Sequence, residues 1–195
     1  MKKKPILIIV GAVLLLLAVY VISAYNSLVK KDELVKKQWA EVQNTYQRRL
    51  DLIPNLVNVV KGVSDFESGT LEAVTEARDR AQRGTNPGGE PTAEEVAREN
   101  ELQDSMAAAV NRLIAVVEKY PVLKGTEAYA GLQTQLEGTE RRIKLARADF
   151  NEAVADYNTS ARSAGTGIVA RMFGFRPKEG FQADAGAEKS VEIKF

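Results

Sequence analysis

ILIIVGAVLLLLAVYVISAY, residues 6–25, carries no charged side chain and follows directly on Lys2, Lys3, Lys4 and Pro5. A helix rises about 1.5 Å per residue, so a stretch of this length covers roughly 30 Å, the hydrocarbon thickness of a bilayer. Within lipid only a helix or a closed barrel satisfies its own backbone polar groups, and one isolated segment can do so only as a helix. Nothing after Tyr25 is apolar enough to span again. The reading is a retained single-pass anchor in contact with the lipid bilayer. A cleaved secretory signal is the competing reading, with Val21 and Ser23 as a weak cut site. Two features oppose it: the run exceeds the roughly 7–15 residues of a signal's apolar core, and no polar loop opens behind it. Tyr20 and Tyr25 suit an interfacial aromatic belt. Lys2, Lys3 and Lys4 favour a cytoplasmic N-terminus, with the soluble part on the extracytoplasmic side; Lys30, Lys31, Lys36 and Lys37 on the other flank pull the opposite way.

Working outward, the anchor runs straight into a heptad pattern. Val35, Val42, Leu56 and Val63 recur every seven residues with Arg49 in the one polar slot, and Trp39, Tyr46, Ile53 and Val60 form the second row. That is the seam of a packed helix from Ser27 to about Gly62. Pro54 interrupts it and is expected to kink the axis. The pattern resumes with Leu71, Val74, Ala77 and Ala81 after an expected break near Ser68-Gly69. RGTNPGGEP, residues 83–91, reads as a loop. Thr92 and Glu95 make a capping box for a helix carrying Val96, Leu102, Met106, Val110, Leu113 and Val117, which should stop at Tyr120 before Pro121. The last long helix, from about Thr126 to Ala161, repeats Tyr129, Leu136, Ile143, Phe150 and Tyr157 at intervals of seven. Its stripe runs roughly 50 Å and must be buried against other helices. Long helices joined by short connections predict an all-α fold, an antiparallel long-helix bundle continuing from the transmembrane helix.

The expected divisions are a short basic N-terminus (1–5), a transmembrane helix (6–25), a helical bundle domain (26–162) and a C-terminal amphipathic segment with tail (163–195). TGIVARMFGF, residues 166–175, is short, apolar and basic; PKEGFQADAGAEK, residues 177–189, has the composition of a tail. The terminal SVEIKF alternates Val191, Ile193 and Phe195 with polar neighbours, as a lone strand that would need a partner edge from another subunit, or as part of the tail.

Composition narrows the chemistry. Three of the 27 lysines and arginines precede Ile6 and all 26 acidic residues follow Tyr25, so residues 26–195 carry a net charge of −2. A near-neutral body gives no reason to expect nucleic acid as partner. Cysteine and histidine are absent, which removes disulfides, cysteine nucleophiles, histidine bases and the usual zinc ligands. No phosphate-binding glycine loop, nucleophile elbow or zinc-protease motif occurs. We expect no catalytic, cofactor-binding or metal site, and no enzyme.

Several stretches carry a family resemblance: Tyr25-Asn26, Trp39, QRRLDLIPNLVNVVKG (residues 47–62), EKYPVLK (118–124), LQTQLEGTERRIKLARADFN (132–151) and FGF (173–175). In this order they resemble the LemA family of bacterial membrane proteins, over most of residues 25–175. The resemblance implies an antiparallel helical bundle behind an N-terminal anchor in the bacterial cytoplasmic membrane, and little chemistry. It also implies a short N-terminus outside, the reverse of the charge-based orientation. Where similar proteins often carry Phe-Pro after the last helix, this chain has Ala-Gly-Thr-Gly (residues 164–167), so the exit of its bundle is expected to be looser.

The polar candidates lie along the seams. Arg49 occupies a core-facing slot and is expected to fork onto Glu140 or Glu137, with Arg147 beside the same seam. An ion-binding or signalling site and a register-fixing ion pair both fit that pattern. Asn55 is expected to bond carbonyls freed by the Pro54 kink. Functionally, the heptads and the unpaired terminal strand predict a self-assembling envelope scaffold, a homo-oligomer. Met172, Phe173 and Phe175, with Val191, Ile193 and Phe195, are candidate contacts for a partner. They would serve an adaptor docking another membrane protein, such as a quality-control protease. A sensor hinged at Pro54 is the third reading.

Overall fold

The uncharged run does not end where a bilayer would. In the computed structural model, which describes residues 3–62, 68–84 and 91–182, it continues as one helix, α1 (Lys3–Lys61). Ile6 to Tyr20 are exposed on every side of α1, the pattern of a helix whose solvent is lipid. By length and composition this is a helix able to cross a membrane. From Ala24 onward burial becomes one-sided, through Leu28, Val35, Trp39, Val42 and Tyr46, because the heptad row now faces other helices.

The remaining helices are α2 (Ser68–Gly84), α3 (Ala93–Val117), α4 (Pro121–Lys124), α5 (Glu127–Arg162) and α6 (Thr166–Met172). All regular structure among the described residues is helical. The α5 helix packs along α1 in the opposite sense: Lys31 meets Asp156, Trp39 meets Phe150 and Arg49 meets Glu140, so one number rises as the other falls. Thr126 opens α5 by accepting from the Tyr129 amide at 3.3 Å. Glu95 N–H donates to Thr92 Oγ1 at 3.2 Å, and Thr92 N–H donates to Glu95 Oε2 at 3.1 Å, which closes the capping box of α3. The α2 and α3 helices meet closely at Gly84, where any side chain would collide with Leu102.

The boundaries agree with the sequence reading in part. The break expected near Ser68-Gly69 is present, since α1 ends at Lys61 and α2 opens at Ser68. Tyr120 is not the last residue of α3; the helix ends at Val117, and Pro121 starts the single turn of α4, where a missing N–H costs nothing. The helix read through Pro54 to about Gly62 is present, with α1 running through the proline to Lys61. The expected strand at Val191, Ile193 and Phe195 lies outside the described residues.

After α5 the chain turns tightly. The Gly167 amide donates to Ser163 O at 2.9 Å, and the hydroxyls of Ser163 and Thr166 reach the Ser160 carbonyl, so this exit is held rather than loose. The α6 helix buries Val169 and Ala170 beside Ala24, Leu28 and Ala161. Residues 176–181, part of the stretch expected to be tail, then run back along α5. Tyr157 O–H donates to Arg176 O at 2.9 Å; Asn158 and Asn151 exchange paired hydrogen bonds with the backbone of Lys178 and Phe181 at 2.8–3.1 Å. Each asparagine offers one donor and one acceptor, as the edge of a strand does, and so a strap is fixed on a helix. Its Phe181 ring lies on Trp39 and Phe150 at 6.0 and 5.6 Å.

Candidate functional site: a polar belt between two cores

Apolar burial divides into two clusters. One, nearer the anchor, gathers Leu28, Val35, Trp39, Val42 and Tyr46 with Val96, Ile143 and Phe150. The other gathers Leu50, Ile53 and Leu56 with Val74, Met106, Val110 and Leu136. Between them, at one level of α1, α3 and α5, lie the buried polar residues Thr45, Arg49, Glu99, Gln103 and Thr139.

Arg49 is the centre of this belt. Its Nη2 lies 2.6 Å from Glu140 Oε2 on α5. Its Nη1 donates to the Gln103 carbonyl at 3.1 Å and to Gln103 Oε1 at 3.2 Å on α3. One guanidinium thereby ties three helices together, which a planar fork of donors can do and a lysine cannot. Thr45 and Thr139 instead turn their hydroxyls onto their own helices, at Val42 O and Gln135 O. Glu140 is the carboxylate that meets Arg49. Glu137, one turn earlier, is exposed and accepts from Gln133 on its own helix at 3.3 Å, because the two glutamates are three residues apart and fall on different sides of the seam. Arg147 lies 3.9 Å from Asp104 and stacks its guanidinium 4.5 Å from the Phe181 ring centre.

Glu99 and Gln103 were not legible as site residues. Glu99 is 3% exposed, and its Oε2 has no hydrogen-bond partner among the described residues. Burial pushes its pKa up to about 7, against a hydrogen bond from Gln43 that pulls the other way. Tyr46, below it, is pushed up to about 12 by burial despite the nearby charges of Arg147 and Arg49. A sequence signal existed: Val96, Glu99, Gln103, Met106 and Val110 share the apolar stripe of α3. Helical spacing alone does not say that charged members of a stripe face inward.

A cleft of about 390 Å³ opens beside the belt, lined by Arg49, Glu140, Lys144, Asn111 and Gln133 with Leu136 and Val110. Among the described residues no three aspartates or glutamates converge to hold a metal ion. With Nη1 and Nη2 of Arg49 bonded to two other helices, and its buried Nε without a hydrogen-bond partner among the described residues, the belt is suited to fixing helix register.

Pro54 and Asn55 are both exposed on α1. Proline has no N–H to offer the carbonyl one turn back, that of Leu50. The group that takes this carbonyl is Arg78 of α2, whose Nε donates to Leu50 O at 3.1 Å. Asn55 points to solvent and does not fill that role. At the membrane end, Phe173 and Phe175 lie 4.9 and 5.7 Å from the Tyr25 ring. Met172 and Phe173 are exposed and Phe175 is half-buried.

Known proteins resemble this chain in sequence over part of its length. The model of the LemA family matches residues 38–195. The chain is similar to Magnetosome protein MamQ 2 and Magnetosome protein MamQ 1 of Paramagnetospirillum magneticum, 32% identical over 83 residues. It is also similar, at 30% identity over 83 residues, to Magnetosome protein MamQ of Magnetospirillum gryphiswaldense. Each of these matches covers 43% of this chain and 30% of the relative, so the likeness spans less than a third of the curated proteins' length.

Proposed function

This chain belongs to the LemA family, and from that premise we propose that it is a membrane-anchored, non-enzymatic scaffold whose helical body assembles with further copies of itself at a bilayer surface. The observation that carries the reading is α1, one unbroken helix of 59 residues shared by anchor and body. A flexible linker would let a body tumble above its anchor. A continuous helix transmits the orientation of one to the other, so contacts between bodies would set the arrangement of anchors within the lipid. Two further observations support it. The chain contains neither histidine nor cysteine, and the buried charge at its centre is spent on holding helices together. The MamQ relatives are named for a cellular body, the magnetosome, and their names state no reaction.

The reading places the anchor in the bacterial cytoplasmic membrane with the body on the extracytoplasmic side, following Lys2, Lys3 and Lys4. Multi-angle light scattering of the full chain, solubilised with its native lipid at micromolar concentration, tests the assembly. Masses of several subunits support it, and a strict monomer refutes it. Labelling an introduced Ser105→Cys in intact cells stripped of their outer membrane, with a thiol reagent unable to cross lipid, tests the side.

A further inference from the structure

We propose that α6 and the Phe173–Phe175 turn form a second membrane contact, a wedge lying in the headgroup layer of an anionic bilayer beside the point where α1 leaves the lipid. Depth is the first argument. The turn before α6 approaches α1 so closely at Gly165 that a side chain there would strike the Tyr20 hydroxyl. Phe173, beyond the other end of α6, stacks on Tyr25. Tyr20 and Tyr25 are five residues apart, about 7.5 Å along a helix, and both belong to the uncharged run of residues 6–25. The segment therefore sits level with the last turns of the lipid-spanning stretch. Interfacial helices lie at this depth, about 5–10 Å into the boundary between headgroups and acyl chains.

Exposure is the second. One side of α6 buries Val169 and Ala170 against α1 and α5, while Ile168, Met172 and Phe173 are left 56%, 69% and 52% exposed. Ile168 and Met172, with the exposed half of the Phe173 ring, leave a large apolar face open at one end of the body, beside the end of the exposed apolar run of α1.

Charge is the third. Arg162, Arg171 and Arg176, which flank or belong to the wedge in sequence, are exposed and have no carboxylate ion pair among the described residues. Of the acidic side chains near this level, Asp156 is engaged by Lys31 and Asp32 by Lys36 and Lys178, while Glu179 shares a cleft with Phe173, Phe175 and Arg176, so the cations still outnumber the free carboxylates beside the wedge. Apolar groups ringed by unneutralised cations match a surface of acyl chains beneath anionic headgroups. Gly174, at φ +80°, makes the turn that returns both phenylalanines of the FGF segment to Tyr25, a conformation open to glycine and costly for other residues.

The absence of native cysteine makes single labels unambiguous. Full-length Ile168→Cys, Met172→Cys and Ser105→Cys proteins, each carrying bimane, would be reconstituted in phosphatidylglycerol/phosphatidylcholine vesicles and in phosphatidylcholine alone. Circular dichroism confirms that each has kept its helical content. The expected result is quenching by lipid-borne nitroxide several-fold stronger at residues 168 and 172 than at 105, with aqueous iodide giving the reverse order. That contrast should weaken in phosphatidylcholine alone and in an Arg171→Gln, Arg176→Gln background. Iodide access at 168 and 172 equal to that at 105 overturns the contact, as does shielding from both quenchers, which would assign the face to a second copy. Equal lipid quenching in both vesicle types overturns the anionic preference. A monomer that still shows lipid quenching would keep this wedge while refuting the scaffold.

Discussion

At the scale of single residues, two buried charges behave in opposite ways. Arg49 is held by groups on two other helices, so removing one side of the pair leaves the other unsatisfied. Breaking a buried ion pair costs about 3–5 kcal/mol. Here Glu140 is 42% exposed on its side chain, and solvent screening brings the expectation for Glu140→Gln down to about 1–2 kcal/mol. Arg49→Ala should cost more, because the Gln103 contacts go too. Replacing the pair together, Arg49→Met with Glu140→Leu, should recover most of the loss in denaturant unfolding of the detergent-solubilised chain. Glu99 forms no ion pair among the described residues, and its burial is offset only in part by the Gln43 hydrogen bond and the Arg98 charge. Its pKa is raised from 4.5 to about 7, so between those values the folded state holds a proton that the unfolded chain has released. Stability therefore falls as pH rises from about 4.5 and levels off above 7. A Glu99→Gln substitution should leave stability at pH 4 nearly unchanged and raise it at pH 8 by about 1–3 kcal/mol. Parallel pH profiles for the two proteins would contradict this.

At the scale of elements, interruptions are repaired from neighbouring helices. Pro54 withholds one intrahelical bond and Arg78 of α2 supplies a donor instead, which ties α2 to α1 at the position where α1 alone would be weakest. In a double-mutant cycle, Arg78→Met should destabilise the natural chain by about 1–2 kcal/mol. It should cost distinctly less in a Pro54→Ala background, where the backbone N–H restored by that substitution returns to the Leu50 carbonyl; additive effects would break the link. The α3 capping box is a separate, local device, and Thr92→Ala should cost about 1 kcal/mol. The strap over α5 depends on Asn151 and Asn158, whose paired bonds to backbone lie 20 and 30 residues away in sequence. Asn151→Ala should release Phe181 from Trp39, seen as a change in tryptophan emission with helical content unchanged.

For the molecule as a whole, the continuity of α1 and the seating of α6 at its membrane exit make anchor and body a single piece. Asn26 is exposed at that exit, between the core residues Ala24 and Leu28, so Asn26→Pro would interrupt the helix without removing a core side chain. If assembly depends on a rigid junction, light scattering should show smaller particles from this variant than from the natural chain, with both still bound to vesicles. Much of this architecture could be read in advance. The uncharged run, the heptad rows of α1 and α5 and the Thr92–Glu95 cap are each written within one segment, and each appears in the structure. Pro54 was legible as a missing bond inside a helix, but the group that takes the freed carbonyl was not, because it belongs to α2. The composition of residues 177–189 resembled a tail, but two asparagines on α5 hold residues 178 and 181 by their backbone, an interaction that does not depend on the side chains being held.

From sequence by itself came the lipid-length helix, the all-helical class, the family and a chemistry without histidine or cysteine, since length, polarity and period are local properties that any helix must express. Only the tertiary structure decided that Arg49 takes Glu140 and not Glu137, that Arg78 takes the Leu50 carbonyl, that Glu99 is buried, and that α6 rests against the end of the anchor. Those outcomes depend on distant partners, 28 and 91 residues along the chain for the two arginines and farther still for Tyr25 and Phe173. Helical periodicity specifies the side a residue faces, whereas packing chooses what it meets there.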